Sequence, residues 1–185
     1  MNTFFKLAFF LVLLSNLTNA QSVYIGKENS TSIRFYSDAP LEKIESINKI
    51  SVPVFNLKTG DFYIRVNMKA FQFKNDLMKE HFNENYVESD KYPYSFFKGK
   101  CNISNLEEGK EYEVIMHGIM EIHGVKKNIN VQGKITKIKN EILMIAEFYL
   151  KPEDFNIKIP VLLKQKIAEN VKINFSSILV PYDNK

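Results

Sequence analysis

The chain has 185 residues, 45% hydrophobic and 25% charged, a balance that excludes disorder and repeated membrane spans and fits one domain. One Cys excludes a disulfide scaffold and a Cys-rich zinc module, and 7 Gly with 6 Pro exclude collagen-like or low-complexity sequence. The formal charge is only +4, and Arg34 and Arg65 are the only guanidinium groups, so nucleic acid is not expected as a partner: bidentate recognition of phosphates and base edges depends on such groups.

Residues 1–20 read as a signal peptide, with Lys6 as the positive n-region, Leu7 to Leu14 as an apolar run, and Ala20 as the small residue before the cut. The run is shorter than the roughly 20 apolar residues that span a bilayer. The expected product is a single domain, 21–185, exported to the periplasm or the extracellular space, with no stable membrane insertion once the signal is removed. Phe4, Phe5, Phe9 and Phe10 leave with the signal, and the remaining Phe and the 9 Tyr need a place in the domain.

In the domain, weak alternation over 31–37 and 48–55 predicts strands, and Lys58-Thr59-Gly60-Asp61 predicts a turn. Phe62, Ile64, Val66, Met68 and Ala70 alternate with polar or aromatic neighbours and predict a strand. Asn75 to Phe82 breaks the rhythm. Leu77, Met78, His81 and Phe82 fall on one side of a short helix there, with Asn75 or Asp76 as its cap. Further strands are predicted over 94–104, through Val114, Met116, Met120 and Ile122, and through Ile129, Val131, Gly133 and Ile135. Glu107 to Lys110, His123-Gly124 and Lys139-Asn140 supply the turns between them. Ile142 to Leu150 is apolar on both parities apart from Glu147, which predicts cover on both faces. Pro160 to Ala168 predicts a second short helix, with Leu162, Leu163, Lys166 and Ile167 at helical spacing, and Val171, Ile173 and Phe175 predict the final strand. About eight strands at hairpin spacing, without crossover helices, give an all-β fold: a single closed antiparallel eight-stranded barrel with one or two short helices.

A search for chemistry finds no nucleophile elbow, phosphate loop, dinucleotide fingerprint or zinc-protease helix. His81, His117 and His123, helped by Glu121, would have to converge to hold a metal, and this reading as a metal-dependent enzyme is the least favoured. Cys101 sits in a strand pattern and reads as a small core residue. No catalytic residue, metal or cofactor is expected, and the chain is read as a non-enzyme.

Three stretches carry a resemblance. The first runs from Leu77-Met78-Lys79-Glu80-His81-Phe82 through Tyr92-Pro93 to Phe96-Phe97-Lys98-Gly99. The second runs from His117-Gly118 through Glu121-Ile122-His123-Gly124-Val125-Lys126-Lys127. The third is Glu153-Asp154-Phe155-Asn156-Ile157. Together they resemble the YceI-like family of lipocalin-like exported proteins associated with polyisoprenoid binding, with Asn156 where that family usually has Gly. The resemblance implies a barrel that sequesters or carries a long apolar lipid, a polyisoprenoid or an isoprenoid quinone. The expected ligand-binding residues are Met68, Phe71, Phe73, Met78, Phe82, Phe96, Met116 and Phe148, with the helix near the entrance. Parity groups these residues by face without saying which face is inside. The alternative is an envelope interaction or stress protein whose barrel is filled by its own side chains and which acts through Glu84, Glu88 and Asp90 of the 83–92 loop. The sequence leaves the oligomeric state open.

Overall fold

The computed structural model describes residues 22–103 and 105–182, so the expected signal segment lies outside the described residues. Eleven strands form one antiparallel sheet. They are β1 (Val23–Gly26), β2 (Ser32–Asp38), β3 (Lys43–Asn48), β4 (Val52–Asn56), β5 (Asp61–Asn67), β6 (Gln72–Phe73), β7 (Tyr94–Cys101), β8 (Glu111–Ile122), β9 (Val125–Ile138), β10 (Glu141–Leu150) and β11 (Val171–Pro181). The ring β1-β4-β5-β7-β8-β9-β10-β11 closes where Gly26 meets Leu179 and Tyr24 meets Pro181.

Eleven strands make eight passes, because three passes are interrupted. β1 and β2 lie end to end along one edge of β11, which pairs β1 through Leu179 and β2 through Lys172 to Ser176. β4 and β3 continue one another beside them, as do β5 and β6. The eight passes then run alternately up and down in chain order, so the barrel is a meander with its first and last passes joined.

Local chemistry explains the breaks. The alternation that predicts a strand as far as Ala70 stops at Asn67, whose side chain accepts the Lys69 N–H and starts a 3₁₀ turn at Met68–Ala70. Asn48 interrupts the β3–β4 pass in a similar way: its side-chain oxygen accepts the Ile50 N–H and the Ser51 hydroxyl, and its amide donates to Asn67 O. His123 and Gly124, with φ of 52° and 73°, form the two-residue turn between β8 and β9. Gly99 and Gly118 face one another across β7 and β8, and a side chain at either would collide with the opposite backbone.

Among the described residues the one α-helix, α1 (Asp76–His81), is capped by Asn75, whose side chain accepts the Leu77 and Met78 N–H groups. A single π turn, Phe82–Tyr86, continues it. The second predicted helix shortens to a 3₁₀ turn at Val161–Leu163, opened by Pro160. The expectation for β10 is also corrected. Ile142, Met144 and Ala146 are buried on the inner face, but Ile145 and Tyr149 are exposed, so nothing covers its outer face. Cross-strand pairs such as Lys134–Glu111 and Lys172–Glu147 keep the outer wall polar and, being exposed, add little stability.

Candidate functional site, a cavity in the upper half of the barrel

The two ends of the barrel differ. At the end that holds the turns 57–60 and 139–140, the interior is solid. Phe55, Ile135, Ile142 and Leu179 are essentially inaccessible there and meet as a packed base. Cys101 belongs to this base, and burial pushes its thiol up to about 11, which leaves it protonated and unreactive.

Toward the other end the interior opens into a cavity of about 470 Å³. Its walls come from inward residues of nearly every pass, among them Phe35, Ile64, Phe97, Met120, Val131 and Ile173. A barrel filled by its own side chains is therefore not what this sequence builds. The roof is made by two crossings. One is α1 with its π turn; the other is the segment between β10 and β11, whose Phe155, Ile157, Ile159 and Leu163 reach the cavity. The stripe Leu77, Met78, His81 and Phe82 of α1 and its π turn lines the cavity, as its spacing predicts.

Four phenylalanines join roof to wall. Phe82 stacks on Phe35 with centroids 5.5 Å apart, and lies 5.5 Å from Phe71 and 5.1 Å from Phe73. Phe35 also meets Phe71 at 5.5 Å and Phe73 at 5.7 Å. Four methionines, Met68, Met78, Met116 and Met120, add flexible thioethers to the lining.

The buried serines around this interior are already satisfied. Ser95 Oγ donates to Met68 Sδ at 3.0 Å, Ser46 Oγ donates to Gln72 O at 2.8 Å, and Ser37 Oγ accepts the Ala168 N–H at 2.8 Å. Among the described residues, the one buried side-chain polar atom without a partner is Asn83 Oδ1. A polar guest would have to give up its water contacts with little offered in return, whereas an apolar guest loses nothing. Charge is confined to the rim, where Glu42, Lys151 and Lys166 border the opening. There, burial and the Glu42 carboxylate hold the Tyr86 hydroxyl above its ordinary pKa.

Of the eight residues expected to bind ligand, Met68, Phe71, Phe73, Met78, Phe82, Met116 and Phe148 line the cavity with side chains on its face. Phe96 borders it by position, but its ring stands on the outer face with Tyr63 at 6.0 Å and Tyr94 at 6.4 Å. The inward residues of β7 are Ser95 and Phe97, both buried. Sequence reading also passed over Phe35, Phe97 and Tyr86. Phe35 is flanked by Arg34 and Tyr36 in weak alternation, and Phe96-Phe97 carries no parity signal at all.

The histidines do not converge, and among the described residues no group of three metal-ligating side chains comes together. His117 Nδ1 lies 2.8 Å from Asn130 Oδ1 on the outer wall. His123 is a clasp: Nε2 meets the Glu88 carboxylate, Nδ1 lies 3.1 Å from Phe155 O, and Tyr92 packs edge-on at 4.7 Å. It thereby ties the β8–β9 turn to both roof crossings. Asp90 is likewise engaged by Lys69, so two of the three acids proposed for docking on the 83–92 loop serve internal contacts.

The YceI-like domain family matches residues 27–178 of the chain. Among solved structures, a polyisoprenoid binding domain from Saccharophagus degradans, implicated in plant cell wall breakdown, superposes with a TM-score of 0.77 at 12% identity, over 88% of this chain and 99% of that one. BcnA of Burkholderia cenocepacia gives 0.68 at 13% identity, over 81% and 96%. The YceI protein of Campylobacter jejuni gives 0.60 at 15% identity, over 75% and 85%. No curated protein matches the chain in sequence.

Proposed function

The chain belongs to the YceI-like family, and from that footing we propose that it is a non-enzymatic binding protein that takes the tail of a long apolar lipid into the upper half of its barrel. The observation that carries this reading is the cavity of about 470 Å³ with an apolar wall and a charged rim. A structural neighbour described as polyisoprenoid-binding supports a branched isoprenoid tail, such as that of a polyprenyl lipid or quinone. The signal-like residues 1–20 support action outside the cytoplasm.

Volume sets the length of the tail. An apolar cavity of about 150 Å³ holds one benzene, so this one accommodates on the order of 18 carbons. Each enclosed CH₂ contributes about 0.8 kcal/mol, and affinity should climb steeply up to that length and then level off as further carbons remain outside. The test is titration of delipidated protein with prenyl alcohols of increasing length, read by native mass spectrometry and calorimetry. Binding that rises and then levels near about 18 carbons is expected. Failure to take up any prenyl alcohol overturns the reading. Mass spectrometry of the exported chain, beginning at Gln21, checks its address.

A further inference from the structure

The three most exposed large apolar side chains among the described residues are Leu162 (92%), Val161 (79%) and Leu41 (67%), and all three sit at the cavity mouth. Val161 and Leu162 occupy the 3₁₀ turn of the crossing between β10 and β11, whose neighbours Ile159, Leu163 and Ile167 line the cavity. Leu41 is fastened to the same crossing, since its N–H donates to Gln165 O at 2.9 Å. The turn itself is held in place: Leu163 N donates to Pro160 O at 2.8 Å, Ile167 N to Leu163 O at 2.9 Å, and Ala168 N to Ser37 Oγ at 2.8 Å. These side chains point into solvent from a fixed backbone.

Their surroundings are mainly basic, Glu42 beside Leu41 being the one acid among the residues that line the cavity. Lys158, Lys164 and Lys166 flank the apolar triplet Val161-Leu162-Leu163, and no acid occurs from 155 to 168. Among the described residues Lys158 and Lys166 form no ion pair, and Lys164 is only loosely placed, 4.0 Å from Glu153. The α1 side of the mouth is different, since it mixes Lys74 and Lys79 with Asp76, Glu80 and Glu84. The described chain ends, near Ser22 and Tyr182, lie together at the packed base, the opposite end of the barrel.

We infer that the 158–166 turn, with Leu41 beside it, seats the barrel mouth on a bilayer surface rich in anionic lipid. Val161, Leu162 and Leu41 enter the boundary between headgroups and acyl chains, and the lysines meet the anionic headgroups. Charge complementarity selects this partner, and the position of the patch gives the contact a consequence. A tail leaving the membrane passes directly into the cavity without crossing water.

The test is co-sedimentation of the mature protein, with no lipid added to its cavity, against vesicles of pure phosphatidylcholine and vesicles of equal parts phosphatidylcholine and phosphatidylglycerol. The wild type should prefer the anionic vesicles, and the preference should fall with salt. V161S/L162S should lower partitioning by more than about tenfold, because two large apolar contacts are lost. K158E/K166E should lower it by at least roughly twenty-fold on anionic vesicles, at about fivefold for each charge removed. Val161 and Leu162 do not line the cavity, so V161S/L162S should keep the wild-type melting temperature and its uptake of a soluble prenyl probe. Absence of wild-type binding to either vesicle overturns the inference. Binding indifferent to both variants overturns it too, because another face is then responsible. A dimer that these variants dissociate, without vesicle binding, overturns it in favour of a second copy. Tail uptake is measured separately, so loss of one reading leaves the other standing.

Discussion

Replacing Phe82 with Ala removes the ring that joins the roof to the wall. Phe82 has three ring partners, at 5.1, 5.5 and 5.5 Å. At about 0.5–1.5 kcal/mol per pair beyond area burial, their loss sums to roughly 3 kcal/mol. The void opens onto an existing cavity, so the added penalty for enclosing new empty space is small. For a domain of this size, that loss lowers Tm by about 6–12 °C. Guanidinium unfolding of lipid-free protein should show an unchanged slope and a lower midpoint. Leu77→Ala is the control on the same helix: Leu77 is exposed and should cost less than about 0.5 kcal/mol. If Phe82→Ala costs under about 1 kcal/mol, or no more than Leu77→Ala, the four rings do not act as a joint and the roof is held by other contacts.

Burial pushes the Cys101 thiol up from an ordinary 9 to about 11 in the folded chain. The folded state holds the proton more tightly, so its contribution is complete below pH 9 and is lost as pH climbs toward 11. Urea titrations on either side of that window should show a fall in wild-type stability that is smaller in Cys101→Ala. An alkylating reagent near neutral pH should modify native Cys101 at least about a hundredfold more slowly than the unfolded chain, as mass spectrometry can follow. Asn156 closes the 3₁₀ turn Pro152–Phe155 with φ of 56°. Asn156→Leu should therefore cost about 1–2 kcal/mol, whereas Asn156→Gly should be neutral or nearly so by thermal unfolding.

Much of the architecture is legible wherever inside and outside alternate without interruption. β8, β9 and β11 follow that pattern, and the His123-Gly124 and Lys139-Asn140 turns between neighbouring strands are as short as their residues imply. The count of eight passes is also readable, but not that three of them are broken: Asn48 and Asn67 interrupt two of these through side-chain-to-backbone bonds that periodicity does not register. The Pro160 segment has helical spacing, but it lacks the length to propagate, and its backbone settles into single turns fastened to β2. In the site, Met68, Phe71 and Phe73 could be read as one aromatic and thioether edge. Phe96 could not be told from Phe97, because two adjacent rings satisfy either parity, and only closure of the sheet decides which one faces in.

The meander has a consequence for how the chain reaches this state. Each pass meets its predecessor through a local turn, so most of the sheet can assemble by successive hairpins, each paying only a short-loop entropy. One seam stands apart: β11 with β1 and β2, which joins Gly26 to Leu179 and Tyr36 to Lys172 from distant parts of the chain. Until that seam closes, the sheet has two raw edges with unpaired N–H and C=O groups, the template on which other chains add. Truncation within 171–181 should therefore do more than weaken the barrel. It should leave a sheet that cannot seal, and make refolding aggregation-limited, with a yield that falls as protein concentration rises.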